Sequence, residues 1–135
     1  MDKETLKYIL AQSGTRPLPP ATPRALELPL ESGKVVALVG IRRSGKTYLL
    51  YETMRRLEAK GVDRRQIVYL NFEDDRLLPI QTPDLDLILR AHDELYPGVS
   101  GRRKYLFFDE VQRVPSWETY IRRLHDTEHA RLFVT

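Results

Sequence analysis

The chain has 135 residues, 41% hydrophobic and 30% charged, a composition that excludes general disorder and leaves little room for a second domain. It lacks cysteine, which excludes a disulfide framework and a thiolate metal site, and no run nears the roughly 20 apolar residues needed to cross a bilayer. The net charge of +3 is too mild to mark a nucleic-acid binder by itself, although 16 arginines against 6 lysines suit anionic ligands, a bias that a thermophilic or GC-rich origin also produces.

Residues 2–13 are expected to form a short amphipathic helix, with Leu6, Ile9 and Leu10 as its stripe and Gly14 at C′. No signal-peptide h-region follows Met1-Asp2-Lys3-Glu4, so a cytoplasmic location and no membrane partner are expected. Five of the nine prolines fall between Pro17 and Pro29, which makes residues 15–32 an extended strap. The chain therefore divides into an N-terminal helix and strap, 1–32, and a core, 33–135. Val35–Val39 reads as a strand buried on both faces, Gly40–Gly45 as a loop, and Lys46–Lys60 as a helix closed by Gly61. Gln66–Asn71 is a second strand. Thr82 is expected to cap a helix with Pro83 at its first position, ending at Pro97-Gly98. Tyr105–Phe108 is a third strand, Pro115 or Ser116 opens a further helix, and Leu132–Val134 starts a fourth strand. Strands alternating with helices predict a parallel sheet of right-handed βαβ units. A strand as the last element leaves one sheet face thinly covered, so a piece of a longer protein is expected.

The loop Gly40-Ile41-Arg42-Arg43-Ser44-Gly45-Lys46-Thr47 fits G-x-x-x-x-G-K-[ST] between a predicted strand and a predicted helix. Each part has a chemical task. Gly40 and Gly45 allow positive φ and close approach of the backbone to phosphates. The amides of Arg43, Ser44, Gly45, Lys46, Thr47 and Tyr48 would form an anion nest at the positive end of the helix dipole. Lys46 would reach the β and γ oxygens, and the Thr47 hydroxyl would be a Mg²⁺ ligand. ATP and Mg²⁺ are thus the expected cofactors, with catalytic roles for Lys46 and Glu110.

Tyr105–Phe108 runs straight into Asp109-Glu110. A carboxylate at the end of a buried strand is costly without a partner, and Mg²⁺ through its water shell would serve Asp109. Glu110, one residue on, would deprotonate the water that attacks the γ-phosphate. An acidic strand end is by itself a common turn; the phosphate loop gives this pair its meaning.

Val39 to Thr47, Tyr69-Leu70-Asn71-Phe72-Glu73-Asp74, Phe108-Asp109-Glu110-Val111-Gln112 with Val114-Pro115 and Trp117, and Leu132-Phe133-Val134-Thr135 together resemble the bacterial and archaeal AAA-superfamily P-loop ATPases that join an ATPase domain to a C-terminal domain of poorly defined function. The resemblance spans about residues 24–135, and the Asp-Glu-x-Gln-x-x-Pro-x-Trp stretch is its most specific part. It implies a three-layer α/β/α P-loop NTPase fold, in the additional-strand, catalytic-glutamate division, with strand order 1-4-3-2. It implies Mg²⁺-dependent ATP binding and hydrolysis coupled to conformational change. The chain would then stop after the fourth core strand, short of a γ-phosphate sensor, a fifth strand and an arginine finger. Two alternatives stay open: a nucleotide-binding switch that hydrolyses poorly, and a small-molecule P-loop kinase, for which no acceptor site or lid is visible.

The expected partners are ATP and ADP, with a protein or nucleic-acid client and self-association through the edge of the first strand as further expectations. Part of Pro19–Leu28 is expected to line the base pocket. Other residues have plainer readings. Glu73, Asp74 and Asp75 read as a solvated acidic turn pairing with Arg76, with positioning of the attacking water or Mg²⁺ as the alternative, Trp117 as a helix-face anchor, and His92 as a packed or surface histidine. Gln112 reads equally as a turn amide or a γ-phosphate contact. Arg42 and Arg43 read as exposed charge or as a contact to nucleotide.

Overall fold

A computed structural model of the chain describes residues 2–18, 27–31, 33–39, 45–128 and 130–135. Four strands, β1 (Val36–Ala37), β2 (Ile67–Asn71), β3 (Tyr105–Asp109) and β4 (Arg131–Val134), form one parallel sheet in the order β1-β4-β3-β2. This is the strand order that the resemblance implies. The helices are α1 (Lys3–Thr15), α2 (Lys46–Ala59), α3 (Asp86–Leu95) and α4 (Trp117–Thr127).

Alternation along the central strands sorts the core into two clusters, one on each face of the sheet. Leu106, Phe108, Leu132 and Val134 pack with Leu6, Ile9 and Leu10 of α1, Ile88 of α3 and Ile121 and Leu124 of α4. Phe107 and Phe133 belong to the other cluster, with Leu50, Met54 and Leu57 of α2 and Leu28 and Leu30 of the strap. Their rings stack at 4.6 Å. The result is three layers, and it places Asp109, which shares the parity of Phe107, on the α2 side.

Several ends differ from the expected ones, each for a physical reason. Gly14 lies inside α1, not at C′: a Cβ there would sit 2.9 Å from the Tyr96 hydroxyl. The helix ends instead at Thr15, because Arg16 precedes Pro17 and turns extended (ψ 131°). The Asp2 side chain, accepting from the Glu4 amide, caps its start. The first strand is shorter than Val35–Val39. β4 offers partners only to Val134, so pairing stops at Ala37, with one further bond from Leu38 N to the Val134 carbonyl at 2.8 Å. Thr82 is not a cap. Its hydroxyl donates to the Pro115 carbonyl at 2.7 Å, and Gln81 precedes a 3₁₀ turn, Thr82–Leu85, that leads into α3. Ser116 stands before α4, with φ 59°.

Candidate functional site

α2 starts where Gly45 takes φ 88°, a left-handed conformation that glycine adopts without a Cβ clash. The 14-residue helix carries no acidic side chain in its first turn, so its positive end is not neutralised locally. Lys46 opens the helix, and Thr47 follows half-buried. Tyr48 points outward, 56% exposed, with its ring edge-on to Tyr51. Gly40, Arg43 and Ser44, expected in the same loop, lie outside the described residues, as does the Pro19–Leu26 part of the expected base pocket.

The end of β3 meets this turn. Asp109 is 2% exposed. Thr47 Oγ1 donates to its Oδ2 at 2.7 Å, Tyr69 Oη donates to the same oxygen at 2.8 Å, and the Thr135 hydroxyl donates to Oδ1. Among the described residues, no lysine or arginine pairs with this buried carboxylate. Among the described residues its hydrogen bonds come from three hydroxyls, none of which carries a cancelling charge, an arrangement suited to a cation that arrives with a ligand. The donors are all oxygens, as a hard cation requires. Among the described residues, no group of three His, Cys, Asp or Glu side chains is arranged to cage a metal. The Asp109 carboxylate and the Thr47 hydroxyl, hard oxygen ligands side by side, fit Mg²⁺, an ion commonly held by one or two carboxylates and substrate phosphates with several waters retained.

Glu110 leaves the strand in the left-handed region, φ 57° and ψ 44°. Its side chain is partly exposed. Its amide donates to Thr135 Oγ1 at 3.0 Å, and Gln112 Nε2 donates to its Oε2. Gln112 thus serves Glu110 across this turn, as a turn amide does. Asp74 pairs with Arg76 at 2.6 Å, as an acidic turn would. His92 is a packed histidine, 2% exposed, with Nε2 hydrogen-bonded to the Arg65 carbonyl at 2.8 Å; burial lowers its pKa. Trp117 anchors α4 at the rim of the core.

Two partners of Asp109 were not singled out from sequence. Tyr69 and Asp109 share parity once β2 and β3 are paired in register (Asn71 opposite Asp109), and that parity is the signal that could have joined them. Thr135 was visible only as the last residue of a matching segment. A cavity of about 570 Å³ lies beside the site, lined by Gln12, Arg16, Tyr51, Tyr69, Asn71 and Arg76 among others. Tyr69 lines it and also bonds the carboxylate.

A family profile described as an AAA domain matches residues 32–135. The chain belongs to the AAA domain family. Such a domain is ATPase-like and binds nucleotide. The AAA match begins after α1, so the first helix lies outside it while packing on the core. An uncharacterized protein of Methanocaldococcus jannaschii is 33% identical over 112 residues, covering 83% of this chain and 23% of that protein. An uncharacterized protein of Haemophilus influenzae is 28% identical over 101 residues, 75% of this chain and 24% of its own length. The chain thus spans about a quarter of the curated relatives it matches. No solved structure matches it significantly. Among the described residues, no helix is long and apolar enough to cross a membrane.

Proposed function

We propose that this AAA domain binds ATP with Mg²⁺ and hydrolyses it, coupling the nucleotide cycle to a change of conformation. The observation that carries the reading is the 2.7 Å hydrogen bond from Thr47 to Asp109, which joins the turn after the Gly-Lys step to the acid at the end of β3. In this reading Lys46 and the amides of Gly45 to Tyr48, with Gly40, Arg43 and Ser44 of the same loop, hold the phosphates. Thr47 and Asp109 hold Mg²⁺, which when bound offsets the charge on the phosphate oxygens. Glu110 takes the proton of the attacking water, its carboxylate steadied at Oε2 by Gln112. Catalysis is by position and electrostatics, with water attacking in line.

The test has two steps. Calorimetric titration with ATP, with Mg²⁺ and with chelator, measures binding; phosphate release over many turnovers measures hydrolysis. Binding that needs Mg²⁺, followed by release of more than one phosphate per chain, is the expected result. Binding without turnover would turn the reading to a nucleotide switch, and no binding would end both. β1 stands at one edge of the described sheet, and Val39 just beyond it is 95% exposed. These features support self-association through that edge. Light scattering over a concentration series tests it, and a mass that stays monomeric throughout argues against it. A protein or nucleic-acid client and a cytoplasmic location belong to the same proposal.

A further inference from the structure

Tyr69 belongs neither to the phosphate loop nor to the acid pair, yet its hydroxyl sits on Asp109 Oδ2 at 2.8 Å. The register partner of Asp109 is Asn71, so the phenol spans two residues of strand, roughly 6–7 Å, to place its oxygen there. The ring is fixed by packing: its centroid lies 5.2 Å from that of Tyr51, on the helix that Lys46 and Thr47 open.

An ionised carboxylate offers about four lone-pair sites. Thr47 and Tyr69 use those of Oδ2, and Thr135 takes one on Oδ1. Among the described residues, these bonds leave one Oδ1 site. The chemistry of the donor matters as much as the count. A lysine or arginine at Tyr69 would orient the carboxylate and also cancel its charge. A phenol orients it and leaves the charge for a cation.

We propose that Tyr69 is a positioning residue for Asp109, holding the carboxylate so that its free Oδ1 site serves the bound water of a divalent cation, and thereby setting how much the cation strengthens nucleotide binding. This rests on the reading of the site as a Mg²⁺–nucleotide site. Removing an outer partner of a metal-binding group commonly lowers metal affinity about 10–100-fold.

The experiment is calorimetric titration of the chain with ADP in saturating Mg²⁺ and again in EDTA. The readout is the ratio of the two dissociation constants. Tyr69→Phe keeps the ring on Tyr51 and loses the hydroxyl. It should reduce the ratio about tenfold while leaving affinity in EDTA within about twofold of the parent. The EDTA value doubles as the check on folding, and a purely structural role would lower both affinities together. In an Asp109→Asn background the same substitution should change the ratio no further, because the residue acts through that carboxylate. If the parent gains from Mg²⁺ and Tyr69→Phe keeps or increases that gain, the role of Tyr69 is overturned alone. A parent with no gain from Mg²⁺ overturns the reading of the site, and this role with it.

Discussion

Thr47 and Asp109 are 62 residues apart in the chain, and the hydroxyl of one lies 2.7 Å from a carboxylate oxygen of the other. Two physical biases make that contact. β3 is buried along its whole length, so its last side chain is delivered to the top of the sheet at a fixed height. Gly45 turns the chain into α2 with positive φ, which brings the first helical turn over that point. Among the described residues, the buried carboxylate is then satisfied by hydroxyls alone.

The first prediction concerns Lys46. As a point charge for the terminal phosphates, it should contribute about 2–4 kcal/mol to ATP binding. Lys46→Ala should lose that affinity and still fold, since alanine is the strongest helix former. Titration calorimetry and a melting curve read the two halves separately. Parental affinity in the variant would remove the loop from the phosphate site.

A second prediction divides the two acids. Asp109→Asn should abolish most of the Mg²⁺ dependence of binding, since it neutralises the group held by Thr47, Tyr69 and Thr135. Glu110→Gln should bind ATP as the parent does, because its side chain is outside that cluster, and should stop phosphate release. Parental release from Glu110→Gln would take the base role from Glu110.

The backbone at Glu110 gives a third. A non-glycine residue at φ 57° carries roughly 1–2 kcal/mol of steric cost. Glu110→Ala and Glu110→Gly both delete the carboxylate, but only glycine relieves the conformation. Urea denaturation should therefore find the glycine variant about 1 kcal/mol more stable than the alanine variant. Equal stabilities would mean that the left-handed turn at this position costs little.

His92 sets a pH dependence. Its folded pKa is depressed, chiefly by burial, so the unfolded chain binds the extra proton first as pH falls. The stability linked to this group is complete above the unfolded histidine value of about 6.5 and is lost as pH falls below it towards the folded value. His92→Gln can keep a donor to the Arg65 carbonyl without titrating. Plotted from pH 7.5 to pH 5, the parent's stability minus the variant's should decline towards the acid end. A flat difference would contradict the assignment.

Much of the architecture could be read along the chain, and the reasons are specific. Tyr105–Phe108 is a run of apolar residues too short for a helix and wholly buried, so β3 was legible together with the acid that closes it. Leu6, Ile9 and Leu10 marked α1 by spacing. The strand order came from the family resemblance and not from any pattern in the residues. What stayed hidden depends on partners far away in sequence. The hydroxyl of Thr82 meets Pro115, and Gly14 faces Tyr96. No local signal carries such choices. At the site, residue type disclosed Lys46, Thr47 and Asp109, while Tyr69 and Thr135 emerge only when three strands are laid side by side.

Thr135 combines two opposite duties in one atom. Its Oγ1 receives the amide proton of Glu110 and gives its own proton to Asp109. Only a hydroxyl can accept and donate through the same oxygen at that reach, so serine is the one natural replacement of similar size. Valine has the shape without the oxygen, and asparagine divides the two duties between atoms that point apart. The two neighbouring acids are therefore keyed to a single rotor just past the end of β4. A change that turns that hydroxyl will be felt at both carboxyl-bearing residues at once, even though the substituted position carries no charge and belongs to neither.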